Sequence, residues 1–322
     1  MNPTPPLQFT VAIPTYNGEQ RLPAVLDALR SQQVPAAFTW EIIVVDNNSG
    51  DRTPQVVQRY QATSPVPIRY EVEPQQGAAY ARDRAVHLAQ SDLIGFLDDD
   101  NIPESDWVTN AWTFAQTHPQ AGAFGSQIAG DYEIEVPPNL ERLVPFLAIT
   151  QRGSKPLLYA SNRNLLPPSA GLVVRRQAWL ERVPRCPVLV GRVNGDMLAG
   201  EDMEVLTYIQ QGGWEIWYNP AMKVAHKIPR RRFERDYLLP FFRGIGHSRY
   251  VLRMLRVPPR QRPLMTVLYM LSDLRKIGLH LLKHRIHSWT DLAAACELAL
   301  FTSSFLSPLY SWRHGLRPPA PQ

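Results

Sequence analysis

Short apolar runs alternate with helix-forming segments through the first hundred residues, and this alternation narrows the possible folds more than any other feature. Residues 9–13, 41–45, 68–72 and 93–97 read as strands. Between them, residues 21–32, 53–60 and 78–89 read as helices. In the first helix Leu22, Val25, Leu26 and Leu29 share one face, the 3.6-residue period of an amphipathic helix. Pro54 sits in the first turn of the second, where its missing N–H costs nothing. Continuously apolar strands separated by helices predict an α/β domain built on a mostly parallel sheet covered on both faces. Ligands of such sheets bind beyond the carboxyl ends of the strands. Three polar clusters fall there: Pro14-Thr15-Tyr16-Asn17, Asp46-Asn47-Asn48-Ser49 and Asp98-Asp99-Asp100.

The last cluster is the most telling. Three carboxylates that close a buried strand repel one another and resist desolvation. A divalent cation held through oxygen ligands relieves both, and such cations commonly accompany phosphates. The competing reading is a solvated acidic turn.

At 322 residues the chain is long enough for one large domain with an appendage. Its two cysteines, Cys186 and Cys296, are far apart and lack metal-type spacing, which predicts no disulfide framework and a reducing cytosol. The first six residues carry neither a basic region nor an apolar run, so no signal peptide is expected. The net charge of +5 is unevenly placed. Residues 1–226 hold 17 Lys/Arg against 24 Asp/Glu, a net of −7, and residues 227–322 hold 17 against 5, a net of +12. An acidic front and a basic back predict a metal-dependent core and a tail that meets something anionic.

Residues 120–226 are less regular and read as extra strands with a helix over 201–211. Trp214, Trp217 and Tyr218 read as core rather than as a sugar platform. From Lys227 onward the chain turns basic, starting with Arg230, Arg231, Arg232 and Arg235. Residues 263–283 fit an amphipathic helix with Leu264, Val267, Leu268, Leu271 and Leu274 on one face and Arg275, Lys276 and Lys283 toward its end. Residues 289–312 are apolar but interrupted by Asp291, Glu297 and Pro308, too short a clean run for a comfortable span. The domains expected are therefore 1–228, the α/β part, and 229–322, a basic helical region that packs on the core or lies on a membrane surface.

Five motifs, in order, carry a resemblance. Val11-Ala12-Ile13-Pro14-Thr15-Tyr16-Asn17, the stretch from Ile43 to Thr53, Gly77-Ala78-Ala79-Tyr80-Ala81-Arg82-Asp83, Phe96-Leu97-Asp98-Asp99-Asp100 and Gly200-Glu201-Asp202 resemble the motif series of family-2 glycosyltransferases. The resemblance covers roughly residues 8–228 and implies the GT-A fold, with a Rossmann-like nucleotide-binding half. Its closest flavour is the cyanobacterial branch associated with secreted hormogonium polysaccharide. Asp83 stands where the family often has Asn, and no Gln-x-x-Arg-Trp motif follows, which argues for addition of single sugars rather than processive polymerisation.

The resemblance implies a hexosyltransferase that moves sugar from a nucleotide-sugar, with UDP-sugars favoured, onto a glycan or lipid-linked acceptor in polysaccharide biosynthesis. Asp100 is then the main ligand of a divalent metal, Mg²⁺ or Mn²⁺, with Asp98 second, or binding the nucleotide-sugar by positioning the ribose and the metal through water, and His226 completing the site. Asp46 accepts from a base N–H, while Pro14 and Tyr16 shape the base pocket. Arg82 holds the base edge or the diphosphate, and Asp99 faces the ribose. Asp202 is the general base of an inverting displacement, which needs a carboxylate on the acceptor side; Asp196 is a lesser rival. Each has a bland counterpart: Asp46 as a turn cap, Arg82 as a surface arginine, Asp202 as a first-turn acid favouring the helix dipole, His226 as a hydrogen-bonded histidine. An anionic membrane surface is a further expected partner and nucleic acid is not, which places the protein in the cytoplasm, peripheral on the inner face of the plasma membrane. Two other functions compete. A sugar-nucleotidyltransferase would want Lys or Arg in its first loop, and none precedes Arg21. A non-catalytic binder of anionic surfaces would leave the carboxylates unexplained.

Overall fold

The computed structural model describes residues 6–160, 165–193, 195–285 and 290–319. The first five residues, part of the segment read for a leader, lie outside it, as does Trp289 at the head of the last apolar stretch. The chain divides into two compact units. The first comprises residues 1–131, 148–185 and 208–228; the second comprises residues 132–147, 186–207 and 229–322.

The first unit is built on a mixed, mostly parallel sheet. Strands β1 (Phe9–Thr15), β2 (Trp40–Asp46), β3 (Ile68–Val72) and β4 (Leu93–Phe96) are mutually parallel, with β1 between β2 and β4. The helices α1 (Leu22–Arg30), α2 (Thr53–Gln61) and α3 (Ala78–Leu88) connect them. Every residue of β1, β2 and β4 is buried, as continuous apolar runs require when both faces are covered. The order reverses between β1 and β4, the kind of switch point at which such sheets bind ligands.

Along the chain then come β5 (Asn101–Pro103), α4 (Trp107–Thr117), β6 (Ala121–Tyr132), β7 (Leu157–Leu158), β8 (Leu172–Arg175), α5 (Arg176–Arg182), α6 (Glu201–Gln211), whose residues up to Thr207 count with the second unit, and β9 (Glu215–Ile228). The sheet order is β3-β2-β1-β4-β8-β6-β9-β5, with β7 also on β9 and β8 antiparallel to β4. The core joins Phe9, Leu26, Val44, Trp107, Phe124 and Met222, among others, with no exposed atoms in any of these six. Tyr218 is fully buried and Trp217 packs against this core. The fold class read from the sequence is the one observed.

The second unit is helical. It contains α7 (Arg235–Met254), α8 (Arg262–His284) and α9 (Leu292–Arg313). Helices α7 and α9 approach closely because small residues meet: a Cβ on Gly246 would lie 2.5 Å from Ser303 Cβ and 2.8 Å from the Leu300 carbonyl oxygen. Asp291 caps α9, accepting from the Ala294 N–H at 2.7 Å. Arg142 ties the short 3-10 segment Pro138–Leu147 to this helix through Glu297 (2.9 Å) and Asp291 (3.3 Å).

Candidate active site

The carboxyl ends of β1, β2 and β3 are laced together by side-chain-to-backbone bonds. Asn47 is the hub. Its Oδ1 accepts from the Gly77 N–H at 2.7 Å, while its Nδ2 donates to the carbonyls of Gln75 (2.7 Å) and Glu73 (3.1 Å). The first two loops clasp each other: the Asn17 N–H donates to Ser49 Oγ, and the Gly50 N–H donates to Asn17 Oδ1, both at 2.8 Å. Asn17 (φ 50°) and Asn48 (φ 67°) hold left-handed conformations that Asn tolerates better than most residues.

Asp46 ends β2 and is buried. One oxygen accepts from the Ser49 N–H at 2.8 Å, as in an Asx turn, and the other from the Tyr70 hydroxyl at 2.6 Å. Burial first, and the Asp46 carboxylate second, raise the Tyr70 phenol above its ordinary range, so it stays protonated and donates. Pro14 lies within buried β1, and Tyr16 just after it is 50% exposed, an aromatic ring left open at the strand end.

The three consecutive aspartates have three different surroundings. Asp98 Oδ1 accepts from Arg82 Nη2 at 2.8 Å, and the Arg82 side chain is almost wholly buried. Asp99 is buried against Arg21, which grips it with both Nε (2.7 Å) and Nη2 (2.9 Å), and the Thr15 hydroxyl adds a bond at 2.6 Å. Burial pushes the Asp99 carboxyl upward, against the pull of the Arg21 guanidinium and the Thr15 hydroxyl. Arg21 also donates to the Tyr16 carbonyl at 3.0 Å, so one guanidinium pins both the first loop and the acid. Gly18 is required there, because a Cβ would fall on the Thr15 hydroxyl and 3.0 Å from Asp99 Oδ2.

Asp100 accepts from Asn101 Nδ2 at 3.1 Å, and its Oδ2 lies 3.5 Å from Nε2 of the buried His226. Antiparallel pairing of β5 with β9 sets Asn101 opposite His226. A 3.5 Å separation is long for a hydrogen bond. It suits a carboxylate oxygen and an imidazole nitrogen that share one divalent ion, and both are donor types such ions accept. The pair fits a metal site.

The first unit therefore gathers Pro14, Tyr16, Asp46, Arg82, Asp98, Asp99, Asp100 and His226 at one end of its sheet. Asp202 belongs to the second unit, in the first turn of α6, with its Oδ1 accepting from the Met203 N–H at 2.7 Å. Asp196, also there, accepts from the Tyr310 hydroxyl at 3.4 Å. Beside them Glu204 is fully buried and accepts from the backbone N–H groups of Val188 (2.9 Å) and Leu189 (2.7 Å), which fixes the loop leading to α6.

Arg21, Thr15, Asn47 and Tyr70 were not singled out by sequence reasoning. Arg21 had a readable signal. It occupies the N-cap of α1, where a cation opposes the helix dipole, so an anionic partner was called for.

A parallel nucleotide-binding half, a reversal point lined by acids and an antiparallel extension define a GT-A-type α/β protein. Residues 10–181 match the family described as Glycosyl transferase family 2, more than half of the chain, and the protein belongs to that family. Among solved structures, a mannosyltransferase of Pyrobaculum calidifontis, PcManGT, in complex with GDP-Man and Mn²⁺, superposes with a TM-score of 0.59 at 18% identity, over 94% of this chain and 88% of that one. Staphylococcus aureus TarS 1-349 in complex with UDP-GlcNAc gives 0.51 at 16% identity, over 96% and 92%. At such identities these structures establish the fold.

Curated relatives include an uncharacterised glycosyltransferase of Bacillus subtilis, YfnE, 34% identical over 102 residues, 32% of this chain and 25% of that one. The succinoglycan biosynthesis protein ExoM of Rhizobium meliloti is 24% identical over 252 residues, 77% of this chain and 76% of its own. The first four curated relatives are matched over only 19% to 32% of their length.

Proposed function

We propose that this protein is an inverting, metal-dependent glycosyltransferase that moves a hexose from a nucleotide-sugar, UDP-sugars favoured, to a glycan or lipid-linked acceptor. Polysaccharide biosynthesis on the cytoplasmic face of a membrane is the setting this reading implies. The observation that carries it is the Asp100–His226 pair at 3.5 Å, set at the carboxyl end of the sheet beside the arginine-paired Asp98 and the tightly held Asp46. Relatives and neighbours named for UDP-GlcNAc, GDP-Man with Mn²⁺, and succinoglycan biosynthesis favour the same class. None of them favours the hormogonium branch in particular, so donor sugar and acceptor are proposed at the level of class.

Each residue has a role in this reading. Asp46, with one oxygen turned by Tyr70 and the other by the Ser49 N–H, accepts from the donor base N–H. Tyr16 stacks on the base and Pro14 shapes the pocket wall. Arg82 and Asp98 position the ribose and diphosphate, and Asp99 keeps the first loop in place through Arg21. Asp100 and His226, with Asp98 second, would hold Mg²⁺ or Mn²⁺, which when bound would offset the charge of the departing diphosphate. Asp202 takes the proton of the acceptor hydroxyl as its oxygen bonds to the anomeric carbon. The bond from that carbon to the diphosphate oxygen breaks, and the electron pair leaves on the diphosphate. One in-line displacement inverts the anomeric centre.

The test is a panel of nucleotide-sugars assayed for thermal stabilisation and slow donor hydrolysis, with Mn²⁺ and in EDTA. The reading expects stabilisation by one class of nucleotide-sugar, dependent on the cation. Equal stabilisation and turnover in EDTA would refute the metal role. Release of pyrophosphate from a nucleoside triphosphate and a sugar phosphate would instead establish a nucleotidyltransferase.

A further inference from the structure

Helix α8 is packed inside out. A helix on a protein core turns its apolar stripe inward. In α8 the residues Leu264, Val267, Leu268, Leu271, Leu274 and Leu282 fall within one broad stripe at 100° per residue, and their exposures run from 48% to 75%. The residues of α8 that are buried are polar: Asp273 has no exposed surface and His280 is 7% exposed. Asp273 receives a two-pronged bond from Arg253 of α7, at 2.6 and 2.8 Å, with Lys276 Nζ at 3.7 Å. His280 Nδ1 lies 3.7 Å from Glu297 Oε2 of α9. A buried ion pair carries a desolvation cost that leucines in the same place would not. The Arg253–Asp273 pair, with the buried His280 imidazole further along the same face, fixes the rotation of the helix and holds the leucines out in water.

We propose that this stripe lies flat on an anionic lipid bilayer, with the leucines at the acyl boundary and Arg275 and Lys283 at the headgroups. Charge selects this occupant. Arg275 and Lys283 are exposed along the stripe, and Arg285 is exposed just past its end. The one acid of α8, Asp273, is turned inward. A second copy docked on the same face would set these cations against one another, whereas anionic headgroups complement them. Long basic side chains within or beside such a stripe extend their stems over apolar surface and keep their charge in the headgroup layer. The helix lies in the interface and does not cross it, because Asp273 and His280 interrupt its inner face. Among the described residues α9 alone is long and apolar enough to span a bilayer, and half of that stretch is buried inside the protein. Binding in the plane through a 23-residue amphipathic helix that carries exposed basic residues is a recognised physical mode of attachment.

The test is flotation of the full chain with phosphatidylcholine vesicles, with and without phosphatidylglycerol, at low and high salt. The double variant Leu271→Glu/Leu274→Glu changes only exposed side chains, so its melting temperature and its binding of nucleotide-sugar are expected to match the parent chain. Its flotation on phosphatidylglycerol vesicles should weaken on the order of tenfold or more. Arg275→Glu/Lys283→Glu should also weaken flotation and flatten its salt dependence. No flotation of the full chain on phosphatidylglycerol vesicles at low salt overturns the proposal. So does equal flotation of the Leu271→Glu/Leu274→Glu chain. A dimer in sedimentation that this variant dissolves, without vesicle binding, would assign the stripe to a second copy instead.

Discussion

Removing Arg21 probes how the first loop and the buried acid depend on each other. The Arg21→Ala variant strips Asp99 of two bonds, at 2.7 and 2.9 Å, and the Tyr16 carbonyl of one at 3.0 Å, while the Thr15 hydroxyl remains at 2.6 Å. Breaking a fully buried pair costs about 3–5 kcal/mol. The Arg21 side chain is 38% exposed, so water partly replaces it, and about 2–3 kcal/mol is expected here. The loss should depend on pH. Asp99 already titrates above its ordinary value because of burial, and losing the guanidinium moves it further up. A carboxyl raised on folding destabilises the fold as pH climbs through the folded value, and adds no such loss below the unfolded one near 3.8. The gap between parent and variant should therefore be widest at neutral pH and narrow toward acid. Urea unfolding of Arg21→Ala, Asp99→Asn and the double variant at pH 7.5 and near pH 4.5 reads this directly, because the cycle isolates the pair from its surroundings. Arg21→Lys should recover little, since an ammonium cannot reproduce the two-pronged grip. A coupling below about 0.5 kcal/mol, within the scatter of independent sites, or a gap that widens on acidification, would refute the account.

Three further outcomes bear on the chemistry. Asp100→Ala should lose at least ~100-fold in turnover, the scale of removing leaving-group stabilisation, with an unchanged melting temperature; near-normal activity of the parent chain in EDTA would contradict it. Asp202→Asn should keep donor binding measured by calorimetry and lose transfer, and a variant with weakened donor affinity but normal turnover at saturation would show that Asp202 serves binding. Tyr70→Phe removes the 2.6 Å bond to Asp46 and should cost about 1–2 kcal/mol in stability, the scale for a half-buried bond to a carboxylate, together with a raised donor KM; an unchanged KM would show that Asp46 needs no such orientation.

The nucleotide-binding half was legible because its signal is strong and local. Strands β1, β2 and β4 are buried along their whole length, and that burial is written as unbroken apolar runs. The later elements were harder. Strand β9 runs 14 residues, but only some of its side chains are buried and Pro220 interrupts it, so no unbroken apolar run marks its length. Helix α7 carries Pro240, Gly244 and Gly246 and averages polar, all signs against a long helix. Packing decides otherwise. A Cβ on Gly244 would overlap the Met197 backbone, and one on Gly246 the backbone of α9, so the glycines that weaken the helix locally are what allow it to dock. The amphipathic period of α8 was visible, yet period alone cannot say which way a stripe points. That is set by Arg253, a residue 20 positions from Asp273 whose pairing no local pattern announces.

The acidic cluster shows why a motif locates a site without assigning its parts. In sequence Asp98, Asp99 and Asp100 are identical neighbours, and the repulsion among them was the reason to expect a cation. The fold separates them. A guanidinium meets each of the first two, Arg82 at Asp98 and Arg21 at Asp99, so much of that repulsion is answered by protein charge. Asp99 goes further. The Thr15 hydroxyl and the Arg21 guanidinium bond both its oxygens, and Arg21 in turn holds the Tyr16 carbonyl, so Asp99 is tied to the first loop through that arginine. Asp100 is flanked instead by the amide of Asn101 and the imidazole of His226, one fixing the carboxylate and the other a nitrogen donor of the kind divalent ions accept. Strand pairing produces this difference: Asp100 directly precedes β5, whose register on β9 brings His226 from more than a hundred residues away. On the proposed reading, the carboxylate that would meet a metal is thus distinguished by the antiparallel edge of the sheet rather than by the acidic run itself, a pairing with His226 that the three letters alone do not announce.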